Sequence, residues 1–480
     1  MKRFLLACAV ILGTMSIMQA KVKPAPIFAD NMVLQQQTDA ALWGKAAPGA
    51  KVKITTTWSR DKVTVVADAD GKWFARVATP AAGGPYEITF NDGEKVTLKN
   101  VLVGEVWICS GQSNMAQQMK GYSGQPTAGS TDLILSADPS VPIRSCNLVR
   151  QKSLVPMEEC EATWYVNDHI GVSEASATAY FFAKRVYETL RIPVGIINAS
   201  WGGTPIEAWM DRETLEKEFA SELDLSPLST GVWPKKNDFK TPTVLFNGML
   251  GTLVPFTAKG FLWYQGCDNR LRYEQYTRLQ PAFVKMLRKY WGNDKMPFYF
   301  TQIAPYKYDG PDKPEGGYMM WAQAQTLDMI PYSGMATTHD AGELACIHPA
   351  NKKVVGDRLA YLALANDYGI KGFAAEAPIA KEFEFKDGMA YVSFKVGTRG
   401  LSPISIDLDG FELAGEDMVF YPAKGRVSKD AEGKRTVVKV YQCPQVPNPV
   451  AVRYGMKNWS ESTLYNCFGV PASPFRSDNW

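Results

Sequence analysis

The spacing of apolar residues changes character twice along the chain. Over residues 21–100 apolar and polar positions alternate. Val52, Ile54 and Thr56 share one parity, and Val63 and Val65 repeat it. This is the period of half-buried strands. Asp68 to Gly71 turns the chain into Trp73, and Asn91-Asp92-Gly93 reads as a hairpin turn between Glu87–Phe90 and Lys95–Leu98. Trp43-Gly44 and Pro48-Gly49 punctuate the same stretch. Short strands at regular spacing predict a small β-sandwich.

From residue 101 to about 368 strands alternate with helices. Val106 to Cys109 is a short apolar run that reads as a buried strand. Ala179, Phe182, Ala183, Val186 and Leu190 follow helical spacing, and Pro193 then precedes the strand-like run 194–199. Leu279, Phe283, Met286, Leu287 and Tyr290 mark a second helix that stops at Gly292. Phe298 to Ile303 reads as a strand. Pro349 opens a third helix, from Asn351 to about Asn366. This alternation predicts an α/β unit with a largely parallel sheet covered on both sides. Residues 369–480 return to β character, with candidate strands at Tyr391–Phe394, Ile404–Leu408, Met418–Tyr421 and Thr436–Tyr441.

Composition narrows the class. At 480 residues the chain exceeds what one core holds, so about three domains are expected. A formal charge of +3 with no basic run argues against nucleic acid. Residues 1–20 carry Lys2-Arg3, an apolar stretch from Phe4 to Ile17 and Ala20 before Lys21. They read as a signal peptide and predict export. No later segment is apolar for long enough to span a membrane. Removing Cys8 with the signal leaves an odd set of cysteines with no Cys-x-x-Cys pair or Cys/His cluster. No metal site or cofactor is expected.

Four strand ends in the α/β unit lead into small or polar residues. They are Ser110 to Met115, Asn198 to Thr204, Trp263 to Asn269, and Asp340 to Pro349. Ligands and chemistry collect at such carboxyl ends. Gly111, two residues before Ser113, permits a tight turn that leaves the hydroxyl exposed, although a Ser in that place also serves as an N-cap. A serine hydrolase needs a nucleophile, a base, a group that orients the base, and donors for the oxyanion. The chain has three histidines. His169 lies in a polar stretch, and His339 follows Thr337-Thr338 and either lines the site or is buried. His348 precedes Pro349 at a helix start, where its ring can enter a cleft. Gly202 and Gly203 offer backbone N–H groups or simply a packing turn, and Gln265 or Asn269 could add a side-chain amide. Trp201 and Trp209 fit either core or a sugar-stacking surface.

Taken together, Gly111-Gln112-Ser113-Asn114-Met115, Trp263-Tyr264-Gln265-Gly266 with Asn269, and Ile347-His348-Pro349 with Lys352 resemble the sialate O-acetylesterase family of the SGNH hydrolase superfamily. Asp30 to Gln35, Phe246 to Met249 and Ala472 to Arg476 are also similar to family segments. The resemblance implies a three-layer α/β/α core with flanking N- and C-terminal β domains. It also implies metal-free removal of O-acetyl groups from sugars such as sialic acid or xylan. Ser113 would be the nucleophile and His348 the base. The Ser113 N–H, a glycine of Gly202-Gly203, and Gln265 or Asn269 would be the oxyanion donors.

There are two departures from that pattern. The superfamily's acid two or three residues before the histidine is replaced by Cys346 and Ala345. Asp340 and Glu343 are the nearest acids that could orient His348, and a backbone carbonyl is the other choice. Cys267 stands where the family has Glu, and a thiol cannot make a carboxylate's charged hydrogen bonds. These losses keep open a second class of reading, a glycan-binding protein on a weakened esterase scaffold. A serine peptidase fits the triad chemistry but not the resemblance. Cys267→Glu is expected to fold and to keep or raise ester turnover. Lower turnover with unchanged folding contradicts this and indicates a site rebuilt around the thiol.

Overall fold

The computed structural model describes residues 21–480; the signal-peptide expectation for 1–20 lies outside the described residues. The chain has a mixed α/β fold. At its centre are β1 (Lys95–Gly111), β2 (Ile143–Leu148), β3 (Ala162–Tyr165), β4 (Val194–Ser200), β5 (Gly260–Tyr264), β6 (Phe298–Thr301) and β7 (Ser333–Ala336). They lie in the order β3-β2-β4-β1-β5-β6-β7. All neighbours are parallel except β3, which runs against β2.

Side chains alternate between the two faces, as strand geometry requires. Trp107, Cys109, Ile196, Leu262 and Tyr299 pack with helices α1 (Ala177–Leu190) and α4 (Lys352–Asn366). Val106, Ile108, Ile197, Trp263 and Phe300 face the other way, onto α2 (Tyr273–Trp291) and α3 (Glu315–Gln325). Both faces of each central strand are apolar because both are covered. Helices α1, α2 and α4 coincide with the three predicted from periodicity. Gly292 ends α2 in a left-handed conformation (φ +62°), and Asn351 caps α4 by accepting from the Val354 N–H. Helix α3 was not legible, because Gly316 and Gly317 open it. A Cβ on Gly317 would sit 2.6 Å from the Met456 backbone, so packing against the C-terminal segment overrides helix propensity there.

Strand β1 is 17 residues long and runs straight through position 100, where the composition shifts. Its first half pairs with Gly83–Asn91 and with Val33–Gln35. Its second half pairs with β4 and β5. The division read from the sequence at 100/101 therefore falls inside a strand, not a linker. Glu105, on β1, is buried and accepts from Gln35, Gln36 and the Tyr368 hydroxyl, which ties the N-terminal strands to the end of the α/β unit.

The C-terminal region carries its own apolar core and a seven-stranded antiparallel sheet. Two strand expectations are corrected there. Ile404 and Ile406 are exposed, and pairing begins only at Leu408. Met418 is exposed with φ +59°, so the next strand is Phe420–Ser428. Alternation alone did not reveal that no opposing layer covers those side chains.

Strand β1 ends at Gly111, whose φ is +134° and whose missing Cβ would lie 2.3 Å from the Tyr264 carbonyl oxygen. Gly111→Ala combines an unfavourable φ with a clash against backbone. We expect it to lower unfolding free energy by about 2 kcal/mol or more. A urea midpoint equal to wild type contradicts this.

Candidate active site

Register brings three of the four predicted loops to one level. Ser200 on β4 pairs with Gly111 on β1, and Gly111 pairs with Tyr264 on β5. Three hydrogen bonds stitch the strand ends together. Gln112 N–H donates to the Tyr264 carbonyl at 2.9 Å, and Trp201 N–H donates to the Gly111 carbonyl at 3.0 Å. The Gln112 side-chain oxygen accepts from Gly266 N–H at 2.9 Å.

Ser113 opens a short helical turn, Ser113–Ala116, in which it alone is partly exposed. Gly202 lies against it, since a Cβ on Gly202 would stand 3.2 Å from the Ser113 Cβ. Among the described residues, no protein acceptor takes the N–H groups of Ser113, Gly202 or Gly203. Gly203 has φ +69°, and its absent Cβ would lie 3.9 Å from Phe239. Trp201 stacks on Phe239 with centroids 5.7 Å apart, and both rings are half-buried. Trp209, by contrast, is core, with its indole N–H on Thr204.

Gln265 and Asn269 are fully buried behind this turn. Gln265 Nε2 donates to the Thr204 carbonyl at 3.0 Å and to Asn269 Oδ1 at 2.7 Å. Asn269 Oδ1 also accepts from Ile206 N–H, and its Nδ2 donates to Glu207. Both Gln265 Nε2 hydrogens are thus taken up within the protein in this structure, while its Oε1 has no partner among the described residues. These amides are committed to bracing the 204–207 segment, and with it the Gly202-Gly203 loop.

The fourth loop leads from β7 to α4 and carries His348. It is fastened to the Ser113 turn from two sides. Asn114 Nδ2 donates to the Ile347 carbonyl at 3.1 Å, while Asn114 Oδ1 accepts from the buried Lys352 ammonium. The Tyr122 hydroxyl donates to the Ser113 carbonyl at 3.2 Å, and its ring meets the His348 ring edge-on at 5.4 Å. The side-chain partner of His348 Nδ1 is the Gln125 Oε1. Burial, then the nearby Lys352 charge, pushes His348 down to about 4. Burial pushes Lys352 itself down to about 7.

Neither acid expected to orient His348 contacts it. Both Asp340 oxygens bind Arg358 at 2.6 Å. Glu343 accepts from the Ala350 N–H at 2.7 Å. Asp340 thus holds the loop to α4, and Glu343 closes the loop on itself. His339 is buried with Nε2 on Ser460, and His169 Nδ1 lies on the Ile134 carbonyl. Cys267 is buried, and burial raises its thiol pKa, partly offset by the Tyr308 hydroxyl. Tyr122 and Gln125 carried no sequence signal. Gln112 and Asn114 did, since they flank Ser113 in the motif, but their bonding partners were not deducible.

Residues 103–364, more than half of the chain, match the family described as carbohydrate esterase, sialic acid-specific acetylesterase. The chain belongs to this family of carbohydrate esterases. It is 28% identical over 415 residues to the sialate O-acetylesterase of Rattus norvegicus, covering 74% of this chain and 76% of that one. Against the Homo sapiens sialate O-acetylesterase it is 28% identical over 390 residues, covering 74% and 73%. The crystal structure of a carbohydrate acetylesterase from Xanthomonas citri superposes with a TM-score of 0.85 at 31% identity, covering 96% of this chain and 100% of that one. No helix among the described residues is long and apolar enough to cross a membrane.

His339 and His348 both sit near 4 in the folded chain, against an ordinary 6.5. Between those values the unfolded chain binds more protons, so stability is held above 6.5 and lost as pH falls toward 4. Wild type should therefore lose unfolding free energy relative to His348→Asn between pH 7 and pH 4.5, in parallel urea titrations. An offset that does not change with pH contradicts the folded-state value for His348.

Proposed function

We propose that this member of the carbohydrate esterase family is an exported O-acetylesterase that removes acetyl groups from sugars by a Ser-His mechanism through an acetyl-enzyme. The domain plan proposed with it is an SGNH-type α/β/α core over 101–368 between β domains at 21–100 and 369–480, with strand β1 shared across the first boundary. One observation carries the reading. Ser113 is presented at the end of the central strand with Gly202 against it, and the His348 loop is tied to the same turn through Asn114 and Tyr122.

Ser113 Oγ attacks the acetyl carbonyl carbon as its proton passes to His348 Nε2. The carbonyl oxygen gains the negative charge. The N–H groups of Ser113 and Gly202, with Gly203 beside them, stabilise it, and backbone donors need no reorganisation to do so. Collapse breaks the bond to the sugar oxygen, which leaves with the proton from His348. Water then attacks the acetyl group, gives a proton to His348, and acetate departs as Ser113 recovers its hydrogen. The half-buried Trp201–Phe239 pair next to Gly203 offers a face for a sugar ring. Acetylated sialic acid and acetylated xylan remain the two substrate classes to compare.

Among the described residues no carboxylate is bonded to His348, which favours the second reading, glycan binding on a weakened scaffold. Release of acetate from a chromogenic acetyl ester separates the two. The esterase reading expects turnover in wild type and a loss of about 10³-fold or more in Ser113→Ala and in His348→Ala. Folded wild type no faster than Ser113→Ala rejects it. Because His348 must be neutral to accept a proton, kcat/KM should stay level from pH 7 down to about 5 and fall only near 4. An acidic limb near the ordinary histidine value contradicts the site described.

A further inference from the structure

We propose that Gln125 is the positioning residue for His348, standing where a serine hydrolase ordinarily uses an acid. The proposal rests on the reading of Ser113 and His348 as nucleophile and base. Its ground is the contact of Gln125 Oε1 with His348 Nδ1, across 223 residues of sequence.

Gln125 is itself held in place. Its N–H donates to the Tyr122 carbonyl, and its carbonyl accepts from Tyr122 N–H, both at 2.9 Å. The Gln117 side chain donates to the same Gln125 carbonyl at 3.2 Å. Gly121, with φ +80°, lets the hairpin close, since a Cβ there would sit 2.9 Å from the Gln125 carbonyl oxygen. The tight pair Tyr122–Gln125 thus puts an edge-on ring and an amide oxygen on the same imidazole.

An amide oxygen can only accept. With Oε1 on Nδ1, the Nδ1 atom carries the proton and Nε2 keeps its lone pair for Ser113. This is the tautomer a general base requires. What the amide does not supply is negative charge. The groups around the ring supply none to it either. On its own loop, Glu343 is held on Ala350 N–H and the Cys346 thiol donates to the His348 carbonyl. Helix α4 contributes the Lys352 ammonium, the one charge that acts on the ring. Tyr122 and Gln125, which meet the ring, are uncharged, and Arg150 lies at the Tyr122 hydroxyl. The imidazolium formed during attack is therefore held by geometry and not by an opposing carboxylate, and the base is a weak one. Gln125 lets an esterase of this family work without the acid lost at 345 and 346.

The test compares Gln125→Ala and Gln125→Glu in the full chain. Gln125→Ala should lower kcat at least about tenfold with KM within about twofold, because it removes the side-chain partner of the His348 ring. Gln125→Glu restores the carboxylate. It should keep or raise kcat and move the acidic limb of kcat/KM upward by about one pH unit or more. The chain has three histidines, so His348 can also be titrated by NMR, its signal assigned by loss in His348→Asn. Its pKa should rise in Gln125→Glu. An acidic limb and an NMR pKa unmoved by Gln125→Glu overturn the proposal, as does a Gln125→Ala variant with wild-type kcat. The NMR arm decides even if wild type turns over no ester, so failure of the esterase reading and failure of the Gln125 assignment are distinguishable.

Discussion

The candidate site depends on the close approach of two backbones at Gly111. Strand β1 must end level with Ser200 and Tyr264 for three loops to meet, and it must then turn sharply enough to expose Ser113. Only a residue without a Cβ fits 2.3 Å from the Tyr264 carbonyl at φ +134°. The same strand passes through the N-terminal sheet before it reaches the site. The N-terminal strands therefore support the Ser113 turn from behind through a continuous, hydrogen-bonded strand, with Glu105 as a buried tie between them.

Around that turn, polar side chains serve mainly as braces. Gln112 pins the β5 loop, Asn114 joins the His348 loop to Lys352, and Gln265 with Asn269 supports the segment after Gly203. Each is buried, and each would be costly to leave unpaired. The N–H groups of Ser113, Gly202 and Gly203 have no protein acceptor among the described residues. Their positions are set by the strand ends and the bracing network and not by side-chain rotamers. The charge distribution is equally economical. Asp340 and Glu343 secure the loop, which leaves His348 with a neutral partner and one buried cation.

Much of this was legible in the sequence, for identifiable reasons. Periodicity located α1, α2, α4 and the runs that became β4 and β6, because those elements are amphipathic or wholly buried. The strand-end residues Ser113, Gly202 and His348 stood out because small and polar residues interrupt apolar runs there. What escaped were facts of partnership. An amide's type can be read from sequence, but not which carbonyl or ring it will meet. Gln265 and Asn269 thus suggested donors yet bond inward, and Gln125 met a ring far along the chain. Continuity of β1 across residue 100 was hidden by the shift in composition on either side. Ile404 and Ile406 alternate as a strand would, but face solvent.

As the proposed nucleophile, Ser113 carries the acetyl group during turnover. The direct measurement is acid quenching of the enzyme a few milliseconds after mixing with an activated aryl acetate, followed by peptide mass spectrometry. One added acetyl group is expected on the peptide containing Ser113, and none in Ser113→Ala. Acetate released at full rate by Ser113→Ala, or an acetyl group found on another residue, would contradict it.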